Sequence, residues 1–258
     1  MLVRTRPPTE PLTLTAAPLT REAFAAFGDV IANPCPERRP SNTAPEAIAR
    51  GELPCGAVSA NQGTAIQYRD IASMRDLYAS APSGKPASPR MTMFVCGARA
   101  LEEGGGGGGV VVGFLERHPF TTQTFIPLTA DGTKRYLVVV APSLPPAGDD
   151  AGDLPVPPDG TERGLPGCGL PDVRRLCAFV ATGEQAVTYG AGTWHAPMIA
   201  LGPPGSTVDF VVVQFANDVP VEDCQVVALE DADADEGGAR ARITVRLSER
   251  DRRVLGKL

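Results

Sequence analysis

The chain has 258 residues and a formal net charge of −6 at pH 7. An acidic balance of this kind lacks the basic surface that binding to nucleic acid or to an acidic membrane requires, so a small molecule is the expected partner. The N-terminus has no apolar segment typical of a signal peptide, and no apolar run approaches the length of a membrane span. We therefore expect a soluble, cytoplasmic protein without a nucleic-acid or membrane partner.

Proline and glycine are abundant, with 26 and 28 residues, respectively. This composition favours short strands joined by turns over a helical bundle. The cysteines show no CxxC or CxxxC spacing, so neither a zinc knuckle nor a thioredoxin-like site is predicted. We expect free thiols in a reducing compartment, at Cys35, Cys55, Cys96, Cys168, Cys177 and Cys224.

The first predicted element is a short helix within residues 19–28. Thr20 has the side chain of an N-cap, and Gly28 stands where a left-handed residue ends a helix. Leu19 precedes the cap and is expected to pack on Phe24. The helix is expected to cover the sheet and to carry no catalytic residue.

Strand candidates dominate the rest of the chain, because β-branched and aromatic runs are bounded by Gly, Pro or Asp. Almost no helical pattern lies between them, which disfavours parallel crossovers and leaves an antiparallel sandwich or barrel of the jelly-roll type. The candidates are residues 91–95, 110–115, 124–128, 136–140, 176–181, 186–189, 208–215 and 225–229, with a further late strand at 243–247.

Three segments resemble surface insertions within one domain that spans residues 1–258: 82–89, 102–109 and 142–170. The six-glycine run 104–109 is not a phosphate loop, since no Gly-Lys-Ser/Thr follows it. A flexible hairpin loop is predicted there. The tail 230–258 is acidic and then basic, and it is expected to be a solvated edge segment.

Only two histidines occur, and both lie in distinctive segments, ERHPFTTQ (116–123) and GAGTWHAP (190–197). Glu116 and His118 are two apart on one strand, so their side chains face the same side. The spacing Glu116-x-His118-x4-Gln123 resembles the first sequence motif of cupin barrels, and Gly192-x2-His195 resembles the end of the second.

This resemblance implies a mainly all-β cupin-type double-stranded β-helix with a few short helices, in which Glu116, His118, Gln123 and His195 converge in one cup. These four residues form a mixed nitrogen and oxygen set that suits a divalent ion such as nickel, zinc or manganese. An amide is a weak ligand, however, and one histidine of the usual cupin set is missing. The sequence therefore leaves open both a bound ion and a metal-free site.

Other catalytic templates are absent from the sequence. There is no Gly-x-Ser-x-Gly elbow, no Gly-x-Gly-x-x-Gly opening a helix after a strand and no His-Glu-x-x-His. Serine-hydrolase, hydride-transfer and zinc-protease chemistry are therefore not predicted.

The chain resembles the ureidoglycolate lyase family over most of its length. The most specific motifs are ERHP-x3-Q-x-FIP, Gly-Glu-Gln-x-Val and Trp-His-x-Pro. The blocks that carry the resemblance are LTREAFAAFGDVI (19–31), NQGTAIQYRD (61–70), FLERHPFTTQTFIPL (114–128), PDVRRLCAFVATGEQAVTYGAGTWHAPM (171–198) and VDFVVVQFANDVPVEDC (208–224). The chain departs from the family at Ala196, where members often have a second histidine.

The resemblance implies that the protein cleaves ureidoglycolate to glyoxylate and urea in allantoin degradation. A base would take the proton of the C2 hydroxyl, and an acid would protonate the departing urea nitrogen. His118, His195 and Gln123 are the expected catalytic residues. Two imidazoles with a pKa near neutrality would suit both proton transfers, and a homodimer is expected from the resemblance alone.

Substrate recognition needs a cation for the carboxylate of ureidoglycolate, because a guanidinium matches a carboxylate with two hydrogen bonds. Arg99, at the end of a predicted strand, is the first candidate, and Arg135 and Lys134 are the alternatives. Amide and backbone donors for the ureido group are expected from Asn61, Gln62 and Gly63.

Two competing functions remain open at this stage. The first is another metal-dependent cupin enzyme acting on a small acid, which would need a tightly bound, stoichiometric metal. The second is a non-catalytic cupin that binds small acids, which would bind glyoxylate without turning over ureidoglycolate. Metal analysis and product analysis separate these alternatives from the lyase.

Overall fold

The computed structural model describes the backbone of residues 2–4 and residues 10–101, 108–129, 131–145, 154–155, 169–229 and 242–255. Strands dominate these residues, and the helices are short: Arg21–Phe24 (α1), Pro45–Ala49 (α2), Pro220–Asp223 (α3) and Glu249–Leu255 (α4). The predicted mainly all-β, cupin-like fold is confirmed. That residues 1–258 form one domain stays a prediction.

The strands, in chain order, are Leu2–Arg4 (β1), Leu12–Thr15 (β2), Ala17–Pro18 (β3), Gly28–Ile31 (β4), Val58–Ala60 (β5), Ala65–Gln67 (β6), Ser88–Gly97 (β7), Gly109–Val111 (β8), Phe114–Arg117 (β9), Gln123–Pro127 (β10), Arg135–Ala141 (β11), Cys177–Thr182 (β12), Ala186–Tyr189 (β13), Trp194–His195 (β14), Ile199–Leu201 (β15), Thr207–Ala216 (β16), Gln225–Ala228 (β17) and Ile243–Arg246 (β18).

These strands form three stacked sheets and a separate hairpin. The central sheet has eight strands, in the order β1-β17-β9-β14-β11-β12-β3 with β15 also on β11. A five-stranded sheet, β4-β13-β10-β16-β7, faces one side of it, and the three-stranded sheet β2-β18-β8 faces the other. The hairpin is β5-β6. Most pairs are antiparallel, as predicted, but β1, β2 and β3 join their partners in parallel.

Two apolar cores separate the layers, because alternate residues of the central strands face opposite sides. On β11, Tyr136, Val138 and Val140 pack between the eight-stranded and five-stranded sheets. Leu137 and Val139 pack on the other side, against the three-stranded sheet. The cup lies in the first of these layers, since His195 pairs with Val140 and faces the same way.

Helix α1 begins as predicted but ends earlier. The amide of Ala23 donates to the Thr20 hydroxyl, which confirms the N-cap. The helix ends at Phe24, and Gly28 starts β4 with φ 154° instead of a left-handed turn. A Cβ on Gly28 would lie 1.9 Å from the carbonyl oxygen of Thr188, so close packing of two strands, not helix termination, requires glycine here.

The predicted strand 110–115 is divided between two sheets. Gly109–Val111 pairs with β18 in the three-stranded sheet, whereas Phe114–Arg117 pairs with β17 in the central sheet. The amide of Val112 donates to Ile243, and Gly113 accepts from Leu229. The chain thus passes from one sheet to the next at Val112–Gly113, which a continuous apolar run does not reveal.

The predicted insertions are packed more closely than expected where the structure describes them. Ser88 and Pro89 of segment 82–89 already belong to β7, and Ser83 donates from both its amide and its hydroxyl to the buried Glu222. Gly109 belongs to β8, while 102–107 lies outside the described residues. Of segment 142–170, residues 146–153 and 156–168 lie outside them as well.

The tail 230–258 is not only a solvated segment. The late strand is confirmed as Ile243–Arg246, and Ile243, Val245 and Leu247 are buried in the core between the central and three-stranded sheets. Residues 230–241 and 256–258 lie outside the described part of the chain. No helix in the described residues is long and apolar enough to cross a membrane.

Candidate active site

The cup is built from two neighbouring strands of the central sheet. Glu116 on β9 is paired with His195 on β14, so both side chains point into the same layer. His118 follows directly after β9, and its ring centroid lies 5.5 Å from that of His195. The structure therefore brings Glu116, His118 and His195 together, as the two-residue spacing and the second motif predicted.

A backbone carbonyl fixes the orientation of the His118 ring. Nδ1 lies 2.6 Å from the carbonyl oxygen of Asp223, and because a carbonyl only accepts, Nδ1 must donate. Nε2 of the neutral ring therefore carries the lone pair. This atom is buried and has no hydrogen-bond partner among the described residues, so it is available to a proton donor or a metal ion.

His195 is fixed in the same way. Its Nδ1 lies 2.9 Å from the carbonyl oxygen of Thr193 and donates to it. Its Nε2 faces the cup, 3.2 Å from Oε1 of Gln123 and 3.6 Å from Oε1 of Glu116. The ring of Tyr189 stacks on that of His195 at 3.9 Å with an interplanar angle of 11°, which restrains the imidazole from the side.

Four acceptor atoms thus meet in one small volume. When both histidines are neutral, none of these four atoms can donate a hydrogen bond to another. They are Nε2 of each ring, a carboxylate oxygen of Glu116 and the amide oxygen of Gln123. Buried acceptors that face one another are unfavourable unless a positive charge lies between them. The cup therefore calls for a cation, either a proton on Nε2 of His195 or a divalent metal ion.

A divalent ion fits these residues. One ligand atom from each of Glu116, His118 and His195 lies within 4.8 Å of the others. Two imidazole nitrogens and one carboxylate form a ligand set that accepts nickel, zinc or manganese and leaves positions open. Each histidine also donates its other ring nitrogen to a backbone carbonyl, the arrangement typical of metal ligands.

The electrostatics of the cup favour a neutral His118 and an ionised Glu116. Burial, followed by the positive charge of His195, lowers the pKa of His118 to about 4. Burial also raises the pKa of Glu116, but hydrogen bonding and charge from His195 outweigh burial, and the net pKa is lowered. The expectation of a pKa near neutrality is therefore wrong for His118, because burial and the charge of His195 disfavour its protonated form.

Two further residues of the cup, Gln214 and Cys224, are not predicted as site residues from the sequence. Gln214 on β16 accepts a hydrogen bond of 2.7 Å from the amide of Gln123. The signal was a lone amide within the apolar run VVVQFA. Cys224 lies 4.0 Å from Oε2 of Glu116, and burial together with that carboxylate raises its pKa to about 12, so the thiol stays protonated.

Comparison with known proteins identifies the family of this chain. A family profile described as Ureidoglycolate lyase matches residues 11–234. The chain belongs to the ureidoglycolate lyase family. Among its relatives, the ureidoglycolate lyase of Schizosaccharomyces pombe is 32% identical over 216 residues, which cover 83% of this chain and 91% of the relative. The ureidoglycolate lyase of Saccharomyces cerevisiae is 31% identical over 232 residues, or 86% and 97% of the two chains. That of Burkholderia mallei is 33% identical over 206 residues, or 80% and 84%.

The cations expected to bind a carboxylate in this lyase-family protein do not reach the cup. Arg99 donates to the carbonyl oxygens of Val111 and, through its amide, Ala200. Ala200 pairs with Tyr136, four residues along β11 from Val140, the partner of His195. Four residues of a strand span about 13 Å, so Arg99 lies at the opposite end of the layer.

Arg135 and Lys134 lie at that same far end. Arg135 pairs with Leu201 and Thr182, and its guanidinium donates to the carbonyls of Gly132 and Lys134. The sequence indicates which face of a strand a side chain takes but not which end of the barrel it reaches, so it does not exclude these three cations from the cup.

The segment Asn61–Gly63 forms a turn at the tip of the β5-β6 hairpin, and its three residues are exposed. Asn61 and Gln62 have positive φ angles of 48° and 56°, which is unusual for residues with side chains. No hydrogen bond within the described residues joins the turn to the cup. Its expected role in binding the ureido group stays a prediction.

The low pKa of His118 predicts a pH dependence of stability. The unfolded chain takes up a proton at this residue near pH 6.5, whereas the folded chain does so only near pH 4. The free energy of unfolding is therefore expected to be highest above pH 6.5 and to fall by about 3 kcal/mol as the pH decreases to 4. Urea denaturation between pH 4 and 7 measures this slope. His118→Gln is the control, and an equal slope in that variant would assign the effect to other groups.

Proposed function

We propose that this protein is a ureidoglycolate lyase that cleaves ureidoglycolate to glyoxylate and urea, with the cup as its active site. The observation that carries the proposal is the convergence of Glu116, His118 and His195, with Gln123 alongside, in a chain of this family. The family profile and the named relatives support the substrate. The shared site supports an enzyme over a non-catalytic binding protein, because the acceptor atoms are arranged for proton or metal chemistry.

The reaction needs one proton to move and no water to be added. The C2 hydroxyl of ureidoglycolate loses its proton, its oxygen becomes the aldehyde oxygen of glyoxylate, the C–N bond breaks, and the urea nitrogen gains a proton. In an ion-free cup, an unprotonated Nε2 of His195 takes the hydroxyl proton, which becomes the positive charge between the four acceptors, and returns it to the leaving nitrogen. The Glu116 carboxylate, 3.6 Å away, stabilises the imidazolium between these two transfers.

His118 and the amide pair bind and orient the substrate in this scheme. His118 stays neutral, so its buried Nε2 accepts a hydrogen bond from a substrate donor. The side chains of Gln123 and Gln214 present amide groups side by side, and an amide offers both a donor and an acceptor to the ureido group. Gln123 is thereby a binding residue as well as a neighbour of His195.

Where a divalent ion is bound, Glu116, His118 and His195 hold it, with the amide oxygen of Gln123 as a weaker fourth ligand. The ion supplies Lewis-acid polarisation of a substrate oxygen. Where the ion is bound, Gln123 gives its oxygen to the ion, so its free N–H and the Gln214 amide remain for the ureido group. The ring of Tyr189 restrains His195 with or without the ion.

Identification of the nitrogen product tests the proposal. Incubation of the purified protein with ureidoglycolate is expected to release urea and glyoxylate in equal amounts, without ammonia. Ammonia as the first nitrogen product would mean hydrolysis of the ureido group and would contradict a lyase. Tight binding of glyoxylate without any turnover of ureidoglycolate would instead support a non-catalytic binding protein.

We also propose that the protein acts as a homodimer in the cytoplasm. The five cysteines among the described residues are all free thiols, as expected in a reducing compartment.

The dimer is supported by β7, an edge strand of ten residues. Met91, Met93 and Val95 are 74%, 61% and 64% exposed on its outer face. Ile126 and Leu128 of the neighbouring surface are also exposed.

A second copy of the chain is the occupant that suits this face. The exposed side chains of β7 lie on the outer face of its sheet and become buried when the same face of a second copy packs on it. Two copies of β7 related by a two-fold axis then present the same side chains to each other. An apolar patch of this kind is unusual on the surface of a monomer.

Replacing Met93 with glutamate is expected to dissociate the dimer, because two buried negative charges would face each other across the two-fold axis. Light scattering after size-exclusion chromatography measures the molar mass. Met74→Glu is the matched control, since Met74 is 53% exposed outside this face. A monomeric unmodified protein, or a Met93→Glu variant that stays dimeric, would refute the proposed interface.

A further inference from the structure

A row of buried polar side chains lies directly behind the cup, on the opposite face of the central sheet. Gln225 on β17, Arg117 on β9 and Trp194 on β14 belong to three adjacent strands, and all three are fully buried. Arg117 lies between Glu116 and His118 in the sequence, and Trp194 precedes His195. Since neighbouring residues of a strand face opposite sides, the same two strands carry the cup in front and this row behind.

One carbonyl oxygen ties the two strands together. The Gly169 carbonyl accepts a hydrogen bond of 3.0 Å from Nη1 of Arg117 and another of 3.0 Å from Nε1 of Trp194. The Arg117 guanidinium also lies 4.5 Å from the centre of the Trp194 ring, a distance at which a cation and an aromatic ring attract each other. We call Arg117, Trp194 and the Gly169 carbonyl the rear clamp.

The rear clamp is further fixed from β17. Nε of Arg117 donates to Oε1 of Gln225 at 2.8 Å, while Nε2 of Gln225 donates to the carbonyls of Pro155 and Val221. Pro155 and Gly169 both belong to the long segment that separates β11 from β12. This segment is thus attached at two points to the strands that carry the cup, on the face of the sheet opposite the cup.

Backbone pairing alone gives little control over the distance between the cup residues. Strand β14 has only two residues, and His195–Glu116 is the single residue pair that joins it to β9. A small shift between these strands would change the separation of His195 from Glu116 and His118. Side chains that fix the position of a metal ligand or a base, without contacting the substrate, affect metal affinity and activity.

From this arrangement we infer that Arg117 and Trp194 are positioning residues, which set the geometry of Glu116, His118 and His195 from the rear face of the sheet. Neither residue touches the substrate. The inference extends the proposed function, because it assigns a role to the two residues of the ERH and TWH segments that face away from the chemistry.

Trp194→Phe is the decisive variant, because it keeps a large aromatic ring under the guanidinium and removes only the N–H donor to Gly169. We expect kcat to fall about tenfold while KM changes less than twofold. In a His195→Asn background the same change is expected to have no further effect on kcat, because Trp194 acts through His195. An equal loss in both backgrounds would show a general structural role and would overturn the inference.

A second measurement does not depend on turnover, so its failure can be separated from failure of the proposed function. The chain has only two histidines, and long-range 1H–15N spectra therefore resolve both imidazoles. Trp194→Phe and Arg117→Lys are expected to shift or broaden the ring signals of His195. Ile243→Val, a truncation in the core on the same side of the sheet, is the control and is expected to leave them unchanged. Unchanged His195 signals and unchanged kcat in folded Trp194→Phe would overturn the inference.

Discussion

Replacing both His118 and His195 with asparagine is expected to reduce turnover no more than replacing either residue alone. Each single change is expected to lower kcat/KM by about 100-fold, the effect of losing a general acid–base group or a metal ligand. The two rings lie 5.5 Å apart and converge with the same carboxylate, so they form one unit. Members of one catalytic unit lose most of their effect together.

The measurement is kcat/KM for the unmodified protein, the two single variants and the double variant. Thermal unfolding of all four proteins shows whether each is folded, because His118 is buried and its replacement affects packing. Two losses that multiply, giving about 10000-fold in the double variant, would mean that the rings act independently, and the shared cup would be the wrong description of the site.

The second large effect is expected at Glu116. Glu116→Gln keeps the size of the side chain and removes its charge, so Nε2 of His195 loses the carboxylate that lies 3.6 Å away. We expect turnover to fall about 100-fold, because neither an imidazolium nor a divalent ion is stabilised without this charge. Glu52→Gln is the matched control, since Glu52 is an exposed carboxylate that pairs with Arg50.

The same pair of variants distinguishes a cup that holds a metal ion from a cup that is free of metal. Equilibrium dialysis with nickel is expected to give one bound ion in the unmodified protein and in Glu52→Gln, and none in Glu116→Gln, if the cup holds a metal. Turnover that persists after exhaustive chelation would assign the chemistry to proton transfer by His195. Turnover lost on chelation and restored by nickel, manganese or zinc would assign it to the ion.

Local sequence patterns were sufficient to predict the front of the cup. The alternation of side chains on a strand put Glu116 and His118 on one face, and the spacing around His195 matched a second strand of a cupin barrel. Gln123 followed from its place after the turn. The prediction for Glu116 and His118 succeeded because it depends on neighbouring residues of one strand, where a period of two determines direction.

What the sequence did not predict depends on how distant segments pair. The position of Arg99 at the far end of the layer follows from the register of β7, β15 and β11, and Gln214 reaches Gln123 only because β16 pairs with β10. The low pKa of His118 follows from burial between distant segments and from the positive charge of His195. Registers of this kind are set by the whole fold and not by local propensity.

The long separations within the cup also determine when it forms. Gln123 and His195 are 72 residues apart in the chain, and His118 and the carbonyl that orients it are 105 residues apart. Contacts between such distant segments form late, because closing the loop between them costs entropy before any contact compensates for it. The unfolded chain therefore has no preformed site, and a metal ion or substrate analogue binds only after folding. Any such ligand will raise the melting temperature in proportion to the logarithm of its concentration, so the cup can be screened for ligands by thermal shift.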